Sequence, residues 1–170
     1  VTDPRQYLEN IKADGYATSL KYVDNLMAVI ERYDLTRYDK EEMKMSNSSL
    51  VSYTKISPNK NSPRNHAIDR ITPHCVVGQL SAESICGCFT SPSRQASCNY
   101  GIGYDGRISL CVEEKDRSWC SSSSANDHRA VTIECASDKT HPYAMTNAVY
   151  ASLINLCVDI CKRNGKKKLL

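Results

Sequence analysis

The chain has 170 residues and a formal net charge of +3, a length that allows one domain or a small domain with an appendage. Charged residues make up 24% and hydrophobic residues 41%, which excludes wholesale disorder and a collagen-like repeat. No run approaches the roughly 20 apolar residues that span a bilayer, so we predict no membrane partner. The basic excess lies in residues 46–66 and at Lys166–Lys168 without interleaved aromatic side chains, which predicts no nucleic-acid partner.

Residues 1–42 have a helical pattern. Asp3 followed by Pro4 is a signal for an N-cap and a first helical turn. Apolar residues at helical spacing predict a second helix over about 18–33. Two short amphipathic helices cannot bury their apolar faces on each other alone, so we expect this segment to need a partner surface.

Residues 43–66 are rich in Ser, Asn, Lys and Pro, which indicates a linker or an extended entry loop. The pattern after this segment becomes α/β. Asp105-Gly106 between two alternating apolar runs is a strong signal for a β-hairpin. Two further strands are predicted to end at His74 and at Glu134. The remaining predicted elements are helices over about 81–88 and 145–163.

A His and a Glu at the ends of two predicted strands are the first candidates for chemistry. If His74 and Glu134 face one cleft, a carboxylate beside a metal-bound water is a general-base arrangement. Taken alone, such a His is more often structural, and Glu134 can equally be a solvated strand end. Tyr100 can donate a hydrogen bond to an oxyanion or be a half-buried sheet aromatic. The other histidines lie in polar loops and are predicted surface residues: His66, His128 and His141.

Nine cysteines are many for a chain of this length, and the number is odd. Zinc modules use paired C-x₂₋₄-C units, whereas this chain has one C-x-C, at Cys86 and Cys88, without a second pair. Cys157 and Cys161 share a face of the last predicted helix, where Cys commonly acts as a small buried apolar residue. We predict mostly reduced, structural thiols. A cysteine-rich metal or redox protein is the alternative that the count alone supports.

Four motifs follow one another after the linker-like segment: His74-Cys-Val-Val-Gly-Gln, Ala96-Ser-Cys-Asn-Tyr-Gly-Ile-Gly-Tyr-Asp-Gly-Arg-Ile, Val112-Glu-Glu-Lys-Asp-Arg-Ser-Trp and Asn126-Asp-His-Arg-Ala-Val-Thr-Ile-Glu. In this order and spacing they resemble the zinc-dependent N-acetylmuramoyl-L-alanine amidases, the class that includes phage lysozyme-type amidases and peptidoglycan recognition proteins. The resemblance covers roughly residues 50–170. It implies a mixed central β-sheet flanked by helices, one zinc ion, and hydrolysis of the amide that joins muramic acid to L-alanine in bacterial peptidoglycan.

The resemblance also implies roles for individual residues. His74 matches the first zinc ligand, Tyr100 the tyrosine beside the metal, and Glu134 the acidic residue that activates the zinc-bound water. Zinc would lower the pKa of that water towards ~7 and polarise the amide carbonyl. The residues that the resemblance places near the peptidoglycan groove are Asn99, Trp119, Ser121, Asn126 and Arg129.

The sequence departs from the family at two points. Family members complete the zinc site with a second His and a Cys or Asp after the long helix, so we expect the remaining ligands beyond Leu170. Whether zinc binds the chain without them stays open at this stage. Spacing does not support replacements from within the chain, such as His128, Cys135 or His141. Pro73 stands where the family usually has a β-former, and proline is tolerated only at a sheet edge or a strand end.

A second resemblance concerns residues 1–42. Asp14-Gly-Tyr-Ala-Thr and Ile30-Glu-Arg-Tyr-Asp are similar to the C-terminal helices of glucosaminidase-type cell-wall hydrolase domains. The predicted organisation is a remnant of such a domain over 1–42, a linker over 43–66, and an amidase domain over 67–170 that is incomplete at its C-terminal end. We expect an endolysin or autolysin, made in the cytoplasm and acting on the bacterial cell wall. The alternative is a non-catalytic peptidoglycan-binding module that uses the same groove without metal.

Overall fold

The computed structural model of the protein describes residues 3–33, 35 and 47–166. Contacts divide the chain into two compact units, Val1–Lys44 and Met45–Leu170. The boundary between the units therefore lies inside the segment that the composition marks as a linker.

Within its described residues, the first unit contains the helices α1 (Pro4–Ala13) and α2 (Tyr22–Arg32), and both were expected from the sequence. The Asp3 carboxylate accepts a hydrogen bond from the backbone N–H of Arg5 at 2.9 Å, which confirms the predicted N-cap. Residues 36–46, which include the end of the predicted helical segment, lie outside the described residues. The described residues buried in the two helices are Leu8 and Val23. Large apolar side chains that stay exposed include Leu20, Tyr16 and Tyr7.

The second unit is built on a five-stranded mixed sheet with the strand order β1-β5-β4-β7-β3. Its strands are β1 (Val51–Thr54), β3 (Arg70–Cys75), β4 (Tyr100–Ile102), β5 (Ile108–Leu110) and β7 (Ala130–Cys135). β4 and β5 are antiparallel, as the hairpin signal predicts, whereas the other neighbours are parallel. A smaller antiparallel sheet pairs β2 (Lys60–Asn61) with β6 (Arg117–Ser118). The mixed α/β fold is thus confirmed.

The described part of this unit also contains the helices α3 (Ala82–Gly87), α4 (Ser124–Asp127) and α5 (Asn147–Arg163). A hydroxyl side chain accepts a backbone N–H at the start of each helix and satisfies one of its free donors. These N-cap residues are Ser81, Ser123 and Thr146. A 3₁₀ turn over Pro92–Arg94 follows α3.

Helices α3 and α5 cover opposite faces of the sheet. Side chains alternate along a strand, so Tyr100 of β4 lies on the face whose core includes Leu156 of α5. Gly101 lies on the other face, where a Cβ would come within 2.6 Å of Ile85 in α3. Glycine at this position therefore lets α3 approach the sheet closely.

The linker prediction is wrong for the described residues after position 46. β1 is an edge strand of the central sheet and pairs with β5. Ser57, Asn59 and Arg64 are buried. The guanidinium of Arg64 donates to the carbonyl oxygens of Glu114 and Ala130, at 2.6 and 3.0 Å. This segment is therefore part of the folded core of the second unit.

Strand β3 accommodates the unexpected proline because it lies at the edge of the sheet and pairs with β7. Pro73 is exposed there, so its missing N–H removes no ladder bond from a central strand. At the hairpin, Gly106 has φ 83°, the left-handed conformation that the Asp-Gly signal predicts.

Most thiols are free, as the sequence analysis expected, and one pair forms a disulfide between Cys86 and Cys111. The free cysteines are Cys75, Cys88, Cys98, Cys120, Cys135, Cys157 and Cys161. Among the described helices, none has both the length and the apolar composition needed to cross a membrane.

Candidate functional site

The edge strand β3 and its neighbour β7 bring two predicted site residues together. The strands are parallel, and His74 and Glu134 are register partners. Register partners on neighbouring strands point to the same face of a sheet. The two predicted candidates therefore lie side by side, and Glu134 lines a cavity together with Ile85 of α3.

Cys120 joins this pair from the loop after β6. Its Sγ lies 3.7 Å from Glu134 Oε1, and one ligand atom each from His74, Cys120 and Glu134 lie within 4.8 Å of one another. The buried Asp127 of α4 holds the loop, because its carboxylate accepts the backbone N–H groups of Cys120 and Ser121 at 3.0 and 3.2 Å. We call these three residues the His–Cys–Glu cluster.

Partial burial sets the electrostatics of the His–Cys–Glu cluster. Burial raises the pKa of Glu134 above its usual range, although the nearby His74, Cys120 and Arg94 act in the opposite direction. Burial and the Glu134 carboxylate together raise the pKa of Cys120 to about 12. Both shifts favour the protonated, neutral forms of the two side chains in the absence of a bound cation.

The imidazole of His74 has an unsatisfied nitrogen. Its Nε2 is buried and has no hydrogen-bond partner within the described residues. A buried polar atom without a partner is costly unless a ligand takes it up. Imidazole nitrogen, thiolate sulfur and carboxylate oxygen are the donor types that zinc binds in proteins. The side chains of the cluster therefore fit a zinc ion.

The cluster lies at a cavity of about 320 Å³, lined by Cys120 and Glu134 and, among others, Trp119 and Arg94. A second cavity of about 360 Å³ shares Trp119 and Cys120 with the first. The indole Nε1 of Trp119 donates to Asn61 Oδ1 at 2.7 Å, which fixes a ring that lines both cavities. Because the two cavities share Trp119 and Cys120, together they offer room for a substrate larger than either cavity alone would hold.

The structure does not bring Tyr100 to the cluster, so its expected position beside the metal is a correction. Tyr100 pairs with Ile133 in the β4–β7 register, one residue before Glu134, and therefore lies on the opposite face of the sheet. It is fully buried, and its hydroxyl donates to Glu114 Oε1 at 2.5 Å. Burial and the Glu114 carboxylate raise the pKa of Tyr100 well above its usual range.

Four of the five predicted groove residues bond within the protein and do not line either cavity. Asn99 is fully buried, and its amide donates to the carbonyl oxygen of Val112 at 3.1 Å. Ser121 donates to the carboxylate of Asp127 at 2.5 Å. The other two contacts are Asn126 with Thr72 and the ion pair of Arg129 with Asp69. Of this set, Trp119 is the residue at the cavities.

Sequence reasoning missed Cys120, Arg94 and Cys88, which all line the first cavity. Cys120 directly follows Trp119, a residue that the resemblance already placed at the groove, and this adjacency was the available signal. Its approach to His74 is a long-range contact between separate loops and strands, which no local pattern encodes.

A family profile described as N-acetylmuramoyl-L-alanine amidase matches residues 64–169. The match contains β3 and β7 and all three members of the His–Cys–Glu cluster. A comparison with curated proteins gives no match.

Solved structures with a similar fold include a selenomethionine derivative of AmpD, with a TM-score of 0.57, 18% identity and coverage of 69% of this chain and 76% of that chain. The catalytic domain of XlyA has a TM-score of 0.53 and 16% identity, and the match covers 68% of this chain and 78% of that chain. PlyL has a TM-score of 0.53 and 9% identity, and the match covers 67% of this chain and 74% of that chain. At these identities the likeness concerns the fold.

Proposed function

Because the chain belongs to the N-acetylmuramoyl-L-alanine amidase family, we propose that it hydrolyses the amide between muramic acid and L-alanine in bacterial peptidoglycan. One observation carries the proposal: a His, a Cys and a Glu converge inside the matched region, and the Cys and the Glu line a cavity. The unpartnered Nε2 of His74 is suited to a metal, and the carboxylate of Glu134 is suited to proton transfer.

We propose zinc as the cofactor of this site, with His74 as a ligand through Nε2. When bound, zinc would polarise the scissile carbonyl and make a water molecule more acidic. The sequence-based expectation of further ligands beyond Leu170 stays a prediction.

Glu134 is the proposed general base and acid. Its carboxylate would accept a proton from the attacking water and return it to the nitrogen of the leaving L-alanine. Partial burial supports this role, because burial raises the pKa of the carboxyl and brings it closer to neutral pH. A carboxylate with a raised pKa is a stronger base than a fully solvated Glu, so it accepts the proton of the attacking water more readily.

The two cavities beside Trp119 are the proposed binding groove. A flat indole whose Nε1 is bonded to Asn61 offers an apolar face at a fixed position. A peptide or sugar of the peptidoglycan strand would pack against this face, while the amide lies next to the cluster. Arg94 at the first cavity supplies a positive charge for a carboxylate of the peptide.

The test is an assay of zinc-loaded protein on purified cell walls. Amidase action frees the amino group of L-alanine without producing new reducing sugar ends, and mass spectrometry of the products locates the cut. Glu134→Gln should lower the rate by about 10²–10⁴-fold, the usual contribution of a general acid–base group. Glu113→Gln is the matched control, because Glu113 pairs with Lys115 outside the cavities.

A wall-binding protein without turnover would instead support the alternative of a non-catalytic module. Pull-down on insoluble walls separates the two outcomes, since a module would bind without releasing L-alanine amino groups. A role as endolysin or autolysin, and the assignment of residues 1–42 to a glucosaminidase-type domain, stay predictions.

A further inference from the structure

We propose that Cys120 is a zinc ligand, so that the metal of this chain is held by a thiolate next to the imidazole of His74. The inference rests on the proposed zinc at His74 and adds a ligand from within the described residues. It leaves Glu134 as the neighbouring proton carrier.

Distance is the first support for this inference. In a tetrahedral site with the usual Zn–N and Zn–S bond lengths, the two ligand atoms lie roughly 3.5 Å apart. The ligand atoms of His74 and Cys120 already lie within 4.8 Å of each other. The separation that zinc requires falls within this limit.

Preorganisation is the second support. Asp127 is buried and accepts the backbone N–H of Cys120 at 3.0 Å. The same carboxylate accepts the hydroxyl of Ser121 at 2.5 Å. Outer-shell hydrogen bonds of this kind fix metal ligands and strengthen metal binding.

The other thiols at the cavity provide a comparison. Cys75 and Cys88 also line it and are exposed. Within the described residues, however, the group of His, Cys and carboxylate ligand atoms contains Cys120 and neither of these two. Of these three thiols, Cys120 is therefore the one grouped with an imidazole and a carboxylate, the other donor types that zinc binds.

Binding of zinc by Cys120 forms a sulfur–zinc bond and releases the thiol proton. The Cys120 thiol loses its proton to the buffer and its sulfur donates a lone pair to the metal, so one proton is released for this ligand. No oxidant or reductant is involved.

The experiment is a titration of the metal-free 170-residue chain with Co²⁺ as a spectroscopic substitute for zinc. A thiolate ligand gives a sulfur-to-cobalt charge-transfer band in the near ultraviolet. We expect this band in the unaltered chain and in Cys88→Ser, the matched control for a thiol at the same cavity. We expect its loss in Cys120→Ser, together with zinc binding that is weaker by about 100-fold or more.

A second variant guards against loss of folding. Cys120→His replaces the thiolate by another zinc donor and should keep metal binding without the charge-transfer band. In parallel, zinc should protect Cys120 of the unaltered chain from alkylation, as measured by mass spectrometry, while Cys75 stays reactive.

The proposal is overturned if the unaltered chain binds no metal, or binds cobalt without the sulfur band, or if the band persists in Cys120→Ser. These outcomes differ from failure of the proposed function. A Cys120-dependent cobalt band without any cleavage of cell walls would overturn the amidase activity and leave the ligand in place. Cleavage of cell walls by cobalt-loaded protein that lacks the sulfur band would overturn Cys120 as a ligand and leave the amidase activity in place.

Discussion

Two carboxylates on the second unit have opposite surroundings. Glu114 is fully buried and accepts hydrogen bonds from Tyr100 at 2.5 Å and from Arg163 at 2.6 and 2.9 Å. Glu134 is partly buried at a cavity, where the described contact of its carboxylate is the Cys120 thiol at 3.7 Å. We call Glu114, Tyr100 and Arg163 the Glu114 network. Both carboxylate oxygens of Glu114 accept hydrogen bonds in this network, whereas Nε2 of His74 in the His–Cys–Glu cluster has no hydrogen-bond partner within the described residues.

The difference shows how residue types that look catalytic are sorted by their environment. A fully buried carboxylate whose two oxygens accept hydrogen bonds from a guanidinium and a hydroxyl is not accessible to a ligand, so it stabilises the fold. A carboxylate next to an unpartnered imidazole nitrogen can still bind a ligand. The unpartnered nitrogen lowers the free energy of unfolding of the ligand-free protein. We therefore expect variants of the network to change stability, and variants of the cluster to change activity.

The largest stability effect is expected from Arg163→Met. Removing the guanidinium leaves the buried charge of Glu114 without its cation, which costs about 3–5 kcal/mol in the free energy of unfolding. Chemical denaturation of the metal-free chain measures this loss. Lys162→Met, an exposed neighbour on α5, should change stability by less than about 0.5 kcal/mol. Equal losses of stability in the two variants would contradict a stabilising ion pair between Arg163 and Glu114.

Tyr100→Phe is the next test, because it removes one hydroxyl from the network. The hydroxyl donates to Glu114 and accepts the backbone N–H of Ser48 at 2.9 Å, so its loss should cost about 1–3 kcal/mol. Tyr104→Phe makes the same chemical change at an exposed residue and is the control. We expect kcat on cell walls to be unchanged in Tyr100→Phe. A fall in kcat in fully folded protein would restore the catalytic role that the sequence resemblance predicts.

A third buried carboxylate, Asp116, extends the comparison to pH. Burial acts to raise its pKa, but hydrogen bonds from Lys60 and Ser62, at 2.5 and 2.6 Å, outweigh burial and lower it. A lowered pKa contributes stability above the unfolded-state value of about 3.9, and this contribution is lost as the pH falls through the folded-state value. Lys60→Met should therefore cost about 1–2 kcal/mol near pH 7.

The difference between Lys60→Met and the unaltered chain should shrink as the pH falls from the unfolded-state value of about 3.9 through the lowered folded-state pKa of Asp116, because the carboxyl then becomes protonated and no longer attracts Lys60. Denaturation curves at several pH values measure it, with Lys139→Met as the control at an exposed position. A difference that stays constant down to low pH would contradict a role for the Asp116 charge.

The smallest stability effect is expected at the cluster itself. His74→Gln in the metal-free chain should change the free energy of unfolding by less than about 1 kcal/mol, because no described residue bonds to Nε2. The same variant should lose zinc binding and wall hydrolysis. A loss of more than about 2 kcal/mol would mean that the His74 ring is held by partners as strong as those of Glu114.

Local patterns in the sequence predicted much of the second unit. The Asp-Gly turn and the strands ending near His74 and Glu134 lie where expected, as does the long helix that ends at Arg163. These elements depend on periodicity and turn chemistry, which a single segment carries by itself. β1 was missed because its four residues lie among Ser, Asn, Lys and Pro, and it becomes a strand through pairing with β5.

By itself, the sequence determined the α/β elements, the family, and the pairing of His74 with Glu134 as candidates. The tertiary structure decided which side chains meet. Strand register placed Tyr100 on the far side of the sheet from Glu134, and loop packing on Asp127 brought Cys120 to the cluster. The physical reason is that propensity and turn signals act over a few residues, whereas register and loop packing depend on contacts across the whole unit.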